Sequence, residues 1–283
     1  PPGGHFSRGF FVLSLSSPGG PPPPPPPPGG GGGGPPPPPS QRLTHPTERL
    51  VGLDIARSAA LLGMVCFHIV FDLQMFGYLP FGTTLHPVFY WHARLVAGSF
   101  LFLAGVSLWL AHGQGIHWPA FWRRWIKLVA AAALVTVATY VALPEYFVYF
   151  GILHCIAASS LIGLLALRLP AAAVAALGAV IMVASYILPD PAFNAPLLRF
   201  IGLATEPAMT VDFEPLFPWV GPFLLGLASA KWASARGLLH RLALPDTPAL
   251  RRLAWPGQHS LVVYLVHQPI LIALIWVASY LSS

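Results

Sequence analysis

Long apolar runs recur from Leu50 to the end of the chain, separated by short polar or proline-containing links. Each run is close to or above the ~20 residues that an α-helix needs to cross a bilayer. The predicted spans are 51–77, 86–111, 120–143, 146–168, 170–188, 214–232 and 257–281. The pattern therefore predicts an all-α fold, a polytopic transmembrane helix bundle of about seven spans within residues 47–283.

Residues 1–46 have a different character, because unbroken proline and glycine tracts occupy 21–28, 29–34 and 35–39. Such tracts offer almost no apolar side chains to bury and favour extended or disordered chain. We predict a low-complexity, disordered tail over 1–46 and a separate membrane domain over 47–283.

Charged residues alternate in sign from one predicted loop to the next. Basic residues occupy one set of loops: Arg42, Arg49, Arg123, Arg124, Lys127, Arg168, Lys231, Arg236, Arg241, Arg251 and Arg252. The other loops contain a single basic residue, Arg199, and hold Glu145, Asp190, Glu206, Asp212 and Glu214. Because basic loops stay in the cytoplasm, this pattern predicts a cytoplasmic N-terminus and an outward C-terminus.

The composition supports a bilayer as the main partner. We expect this bilayer to be the plasma (inner) membrane. Hydrophobic residues make up 55% of the chain and charged residues 8%, whereas soluble domains carry roughly 25% charged residues. The net charge of +6 lies in short loops, where membrane topology explains it, so we expect no nucleic-acid partner. Cys66 and Cys155 lack the spacing of metal ligands, so we expect no metal.

Four ionisable residues interrupt the first predicted span: Asp54, Arg57, His68 and Asp72. At 100° per residue they fall within about 60° of arc, which puts them on one helix face. Ionisable side chains inside a bilayer are costly and usually face the bundle interior. Asp54 and Arg57 are spaced to form an ion pair, and Asp72 lies one turn beyond His68, where it could orient that imidazole as a general base.

Further polar or aromatic residues fall at the predicted outer ends or inner faces of other spans. These candidate cavity residues are His86, Arg94, His154, Asp212, Trp219, Tyr264, His267 and Gln268. Ser260, Tyr264, His267 and Gln268 share a face of the last span by their spacing. Together with the polar stripe formed by Asp54, Arg57, His68 and Asp72 on the first span, they predict a polar cavity that opens to the outside.

Three functional classes are compatible with such a cavity. It could serve a transferase that passes a group across the membrane, a transporter of a small polar solute, or a haem protein with paired histidine ligands. The haem class is disfavoured because no span holds two suitably spaced histidines, and no internal repeat supports a transporter. The residues alone leave the transferase and the transporter open.

An ordered set of motifs carries a resemblance to a known membrane family. The motifs are Arg49–Ala60, Met64–His68, Phe71–Asp72, Phe100–Ser107, Tyr149–His154, Phe217–Gly221 and Ser260–Pro269. Together they resemble the heparan-α-glucosaminide N-acetyltransferase catalytic-domain family, including its bacterial members, over roughly 47–283. The resemblance makes 47–283 a transmembrane acyltransferase-like domain.

The resemblance implies transfer of an acetyl group from cytosolic acetyl-CoA to a sugar or glycan acceptor on the outer side, by an N- or O-acetyltransferase. It also implies a catalytic histidine on the non-cytoplasmic side. In the animal enzyme an asparagine matches His68, and the catalytic histidine falls later, nearest to His86. The catalytic histidine is therefore His68 or His86, and we favour His68 with Asp72.

The donor and the acceptor implied by this resemblance call for different binding groups. Cations that could hold the phosphates of acetyl-CoA are Arg123, Arg124, Lys127, Arg251 and Arg252. Residues 1–46 hold no counterpart of the luminal domain that precedes the animal catalytic region. We therefore expect a cell-envelope glycan or another small-molecule acceptor rather than heparan, and a homodimer remains an open alternative.

Overall fold

The computed structural model describes residues 50–245 and 247–282, which form helices and connecting loops. The helices are α1 Val51–Met75, α2 Pro87–His112, α3 Trp118–Ala142, α4 Ile152–Ala166, α5 Ala171–Ile187, α6 Leu216–Ala235, α7 Pro248–Gln258 and α8 Ser260–Ser282. Within the described ranges there is no strand, and the one β-type contact is a bridge between Phe150 and Phe213. The all-α fold class is confirmed. The predicted tail over 1–46, which includes Arg42, lies outside the described residues, and so does Arg49.

Within the described part of the chain, four helices are long and apolar enough to cross a bilayer, namely α1, α2, α3 and α8. The apolar helices α4 and α5 are shorter, with 15 and 17 residues. These helices are consistent with a bundle that crosses the membrane several times. The count of seven spans and the orientation of the termini stay predictions.

The predicted span over 146–168 is wrong at its first end, because α4 begins only at Ile152. The preceding segment pairs with the loop before α6 instead of forming helix. The Val211 N–H donates to the Tyr146 carbonyl at 2.9 Å, and the Glu214 N–H donates to the Phe150 carbonyl at 3.1 Å. Non-helical backbone is tolerated at membrane depth when protein groups satisfy its hydrogen bonds in this way.

The predicted span over 257–281 is also wrong at its start, since α8 begins at Ser260 and a separate helix, α7, precedes it. Pro248 occupies the first turn of α7, and the Thr247 side chain accepts a hydrogen bond from the Leu250 N–H at 3.3 Å. These are helix-start signals. Arg251 therefore lies on an amphipathic helix rather than in a loop.

Close helix contacts through glycine fix the bundle around α1, α2 and α6. A Cβ at Gly257 of α7 would clash with the Asp54 carbonyl of α1, which shows how closely the two backbones approach. Gly105 of α2 lies against the Phe223 carbonyl of α6, and Gly226 of α6 lies against the Phe102 carbonyl of α2. Small residues at such crossings let membrane helices pack tightly, and this packing holds the polar face of α1 inside the bundle.

Candidate active site

At the start of the polar stripe on α1, the Asp54–Arg57 pair is hydrogen-bonded to α2. Arg57 donates a hydrogen bond to Asp54 at 2.7 Å, as their spacing predicts, and another to the Ser107 hydroxyl at 2.6 Å. Asp54 and Ser107 are buried. A buried ion pair with an added neutral partner avoids an uncompensated charge in the membrane interior.

A cavity of about 230 Å³ lies between α1, α2, α3, α4 and α8. Its cationic residues are Arg57, Arg124 and Lys127, and Tyr264 and Ser260 of α8 also line it. The volume is below the ~300–1,000 Å³ usual for pockets that enclose a whole small ligand. The cavity therefore suits one end of a larger ligand.

Three further predicted phosphate ligands do not reach this cavity. Arg123, Arg251 and Arg252 are exposed side chains, and none of them is among the residues that line it. Arg123 precedes Arg124 on α3, so it points to another side of that helix. The structure thus separates the five predicted cations into two that line the cavity and three that do not.

His68 of α1 and His267 of α8 face each other beyond Tyr264. The His68 Nδ1 lies 3.0 Å from the Met64 carbonyl and 3.4 Å from His267 Nε2, and His267 Nδ1 lies 2.6 Å from the Tyr264 carbonyl. A carbonyl oxygen only accepts, so both Nδ1 atoms carry the proton. The Nε2 of His68 therefore holds a lone pair, and no group in the described ranges hydrogen-bonds it.

Asp72 does not orient His68, contrary to the prediction. Its Oδ1 accepts a hydrogen bond from Gln268 Nε2 at 2.6 Å, and its side chain is fully buried. Helical side chains point toward the helix N-terminus, so the His68 ring lies over Met64 and away from Asp72. Among the described residues, α1 and α8 are thus joined by two side-chain hydrogen bonds, His68 with His267 and Asp72 with Gln268.

His154 stabilises the start of α4 and has both ring nitrogens occupied. Its Nδ1 accepts the Gly151 N–H at 3.2 Å, so the proton lies on Nε2, which donates to the Thr136 hydroxyl at 3.3 Å. The Thr136 hydroxyl donates in turn to the Val148 carbonyl at 2.7 Å. His154 therefore has no free nitrogen for a substrate in this arrangement.

Asp212 links the loop before α6 to both α4 and α8. Its Oδ2 accepts the Ile152 N–H at 3.3 Å, and Gly151 leaves the space that this carboxylate occupies. Burial raises the pKa of Asp212 to about 6, although the Ile152 N–H and a hydrogen bond from the Tyr264 hydroxyl favour its ionised form. Near it, Oε2 of Glu214 is buried and has no partner among the described groups.

Three predicted site residues lie apart from the two histidines. His86 is the exposed N-cap of α2, where its Nδ1 accepts the Val88 N–H at 3.4 Å. Arg94 is exposed and stacks 4.1 Å from the Tyr90 ring centre. Trp219 packs in the apolar core at 8% exposure. No contact described here joins any of the three to His68.

Sequence reasoning missed two polar side chains that help to position the site. Ser107 of α2 holds Arg57, and His92 of α2 contacts the Gly63 carbonyl of α1 at 2.8 Å through its Nε2. Each interrupts an otherwise apolar span, which is the signal that could have found them. Within residues 50–245 and 247–282, no group of three or more histidine, cysteine, aspartate or glutamate residues could hold a metal ion.

The comparison with known families matches most of the chain. The family described as "Heparan-alpha-glucosaminide N-acetyltransferase, catalytic" matches residues 49–269. Comparison with curated proteins and with solved structures gives no match. Together with its apolar helices, the chain is a multi-pass membrane protein with an activity of the acetyltransferase type. This chain belongs to the heparan-α-glucosaminide N-acetyltransferase catalytic-domain family.

Proposed function

We propose that this protein moves an acetyl group from cytosolic acetyl-CoA to a sugar or glycan acceptor on the outer side of the plasma (inner) membrane. The observation that carries the proposal is the cavity between α1, α2, α3, α4 and α8. Cationic side chains line it, and so does Tyr264, whose carbonyl accepts the His267 hydrogen bond. The cavity and the histidine pair thus share two helices, α1 and α8.

The donor enters this cavity with its acetyl end first. Arg124 and Lys127 line the cavity and bind CoA phosphates as charge-assisted partners. The surface residues Arg123, Arg251 and Arg252 add cationic charge on the same predicted side. A cavity of about 230 Å³ accepts the acetyl-thioester end, while the nucleotide end stays outside it.

His68 acts as the general base on the acceptor. Its Nε2 takes a proton from the acceptor amine or hydroxyl while the acceptor atom bonds to the acetyl carbon, the carbon–sulfur bond breaks, and the proton then passes to the CoA thiolate. The Nδ1–H of the resulting imidazolium still faces the Met64 carbonyl and the lone pair of His267. An acetyl-His68 intermediate reaches the same products in two steps.

Two other groups of predicted residues have supporting roles in the proposal. Gln268 and Asp72 hold the acceptor, and Tyr264 with Asp212 closes the cavity beside the start of α4. His86 is the second candidate for the catalytic histidine, and its exposed place at the start of α2 favours His68. We also propose that the membrane is the plasma (inner) membrane and that the acceptor lies on its outer side. The proposed domains are 1–46 and 47–283.

The test is acetyl transfer by purified, detergent-solubilised protein. Radiolabelled acetyl-CoA is supplied with and without a panel of amino sugars and envelope glycans, and CoA release is followed. Acceptor-dependent release is expected from the wild type. The His68→Ala variant should lose roughly 10²–10⁴-fold in rate, the range for a general base, and keep its affinity for acetyl-CoA. The matched control, His86→Ala, should retain wild-type activity.

Two results would count against the proposal in different ways. Loss of transfer in His86→Ala with full activity in His68→Ala would move the catalytic role to His86. If the folded wild type did not bind acetyl-CoA at all, the transferase function would be excluded. A transporter of a small polar solute would then be favoured.

A further inference from the structure

Helix α7 presents one face to α1 and another to its surroundings. The Gly257 N–H donates to the Ser58 hydroxyl at 2.8 Å, and a Cβ at Gly257 would clash with the Asp54 carbonyl. Ala254, one turn earlier on the same face, is fully buried. These contacts fix α7 against the start of α1 and determine which of its side chains point outward.

The outward face of α7 combines two arginines with a tryptophan. At 100° per residue, Trp255 lies about 40° from Arg251 and about 60° from Arg252, whereas Gly257 lies about 160° away. Both arginines are exposed, and Trp255 is 57% exposed. The helix contains no acidic residue. The outward face is therefore cationic and also carries a large aromatic surface.

The aromatic side chain on this face is held in place by the residue one turn later. The His259 and Trp255 ring centroids lie 4.7 Å apart, and the His259 Nδ1 lies 3.0 Å from the Trp255 carbonyl. A carbonyl only accepts, so Nδ1 donates. A ring that is already held loses less side-chain entropy when it binds a partner. Trp255 is thus preorganised for a contact outside the bundle.

The place of α7 in the chain puts this face at the membrane surface. The helix ends at Gln258, and α8, which is long and apolar enough to cross a bilayer, begins at Ser260. At ~1.5 Å per residue, Trp255 lies roughly 8 Å and Arg252 roughly 12 Å from Ser260 along the helices. The headgroup layer is roughly 5–8 Å deep on each side of the hydrocarbon core. Trp255 therefore lies at headgroup level, and the long arginine side chains reach the same level.

The charge and the aromatic ring together select one class of partner. A guanidinium pairs with two phosphate oxygens through its planar fork of N–H donors. A zwitterionic headgroup brings its own ammonium group, which two neighbouring arginines repel. A soluble anion would leave the exposed ring of Trp255 in water, whereas a lipid covers it.

We propose that Arg251, Arg252 and Trp255 form a binding site for the headgroup of an anionic phospholipid. The arginines bind the phosphate, and the indole ring lies at the boundary between headgroup and acyl chains. Because Gly257 of the same helix contacts α1 at Asp54, a bound lipid also restrains the start of the polar stripe. The site does not depend on acetyl transfer.

The test counts bound lipids on purified full-length protein by native mass spectrometry. The protein in detergent is titrated with dioleoyl-phosphatidylglycerol or dioleoyl-phosphatidylcholine, which share their acyl chains and differ in headgroup charge. An arginine near an anionic surface contributes roughly fivefold in affinity. Wild type should therefore bind phosphatidylglycerol roughly tenfold or more tightly than phosphatidylcholine, and inorganic phosphate at equal concentration should not displace it.

Two site variants and one matched control complete the experiment. Arg252→Gln should weaken phosphatidylglycerol binding roughly fivefold, and the double variant Arg251→Gln/Arg252→Gln should weaken it tenfold or more. Both should leave phosphatidylcholine binding unchanged. The control Arg168→Gln removes one exposed arginine from the link between α4 and α5, so it changes the net charge equally and should bind phosphatidylglycerol as wild type does.

Four results would overturn the proposal. Equal affinity of the wild type for the two lipids would remove the selectivity for negative charge, and equal effects of Arg252→Gln and Arg168→Gln would remove the specific site. Displacement of the lipid by inorganic phosphate, or loss of acetyl-CoA affinity in the double variant with lipid binding intact, would assign the arginines to a soluble anion. A changed fraction of dimer with unchanged lipid binding would assign the face to a second copy of the chain.

Discussion

At the scale of single residues, the backbone group that meets Nδ1 of a histidine decides which ring nitrogen carries the proton. His68 and His267 each place Nδ1 on a backbone carbonyl, which leaves Nε2 as a lone pair, whereas His154 accepts a backbone N–H and donates from Nε2. The three histidines look alike in the sequence. Their local hydrogen bonds leave a lone pair on His68 Nε2, which the proposed general base requires, and make His154 a helix cap.

Asp212 gives a pH prediction at this scale. Its pKa is raised from 3.8 to about 6 by burial, so the folded protein takes up this proton before the unfolded chain does as the pH falls. The contribution of Asp212 to the free energy of unfolding therefore increases as the pH falls from 7 to 5. In thermal denaturation, lowering the pH from 7 to 5 should raise the Tm of the wild type more than that of Asp212→Asn. Each 1 kcal/mol of stability gained by protonating Asp212 corresponds to about 2–4 °C in Tm.

The amide variant keeps groups that can bond the Ile152 N–H and the Tyr264 hydroxyl, so the comparison isolates the titration. Parallel Tm–pH curves for wild type and Asp212→Asn would contradict the prediction.

At the scale of elements, the bundle depends on contacts between helices that leave no room for a side-chain atom. Gly105 of α2 lies against the backbone of α6 at Phe223. A Cβ at Gly98 on the same helix would have its nearest neighbour at 3.8 Å, an ordinary contact with the Trp219 ring. Two glycines on one helix thus have different roles, one in packing and one without a steric need.

The variants Gly105→Ala and Gly98→Ala test this difference. Gly105→Ala should lower stability by about 1–3 kcal/mol, because α2 and α6 must move apart to accommodate the methyl group. Gly98→Ala should be neutral or slightly stabilising, since alanine is favoured over glycine inside a helix. Thermal denaturation in detergent measures both. Equal Tm values for the two variants would remove the close α2–α6 contact as a determinant of stability.

At the scale of the whole molecule, orientation decides which substrate reaches which end of the cavity. The loop charges predict that Arg236 lies in the cytoplasm and Glu145 outside. Arg236→Cys and Glu145→Cys, each made in a Cys66→Ala background, report the two sides through a membrane-impermeant maleimide. In intact cells Glu145→Cys should be labelled, and Arg236→Cys should be labelled only after permeabilisation.

The reverse labelling pattern would invert the bundle and place the acceptor site of the proposed function on the cytoplasmic side. Labelling of Cys155 does not interfere, because that side chain is buried at 0% exposure.

Features that depend on local periodicity and on the cost of charge in a bilayer were predictable from the sequence. Apolar runs predicted the helices, and the spacing of Asp54 and Arg57 predicted their ion pair. The motifs predicted the family, which the match over 49–269 confirms.

Features that depend on contacts between distant segments required the three-dimensional structure. It assigned Asp72 to Gln268 rather than to His68, and it brought His267 to His68, partners 196 and 199 residues away in sequence. It also began α4 at Ile152, because the preceding chain pairs with residues 211–214. Helical spacing shows which side chains share a face, but the partner on that face is chosen by the helix that packs against it.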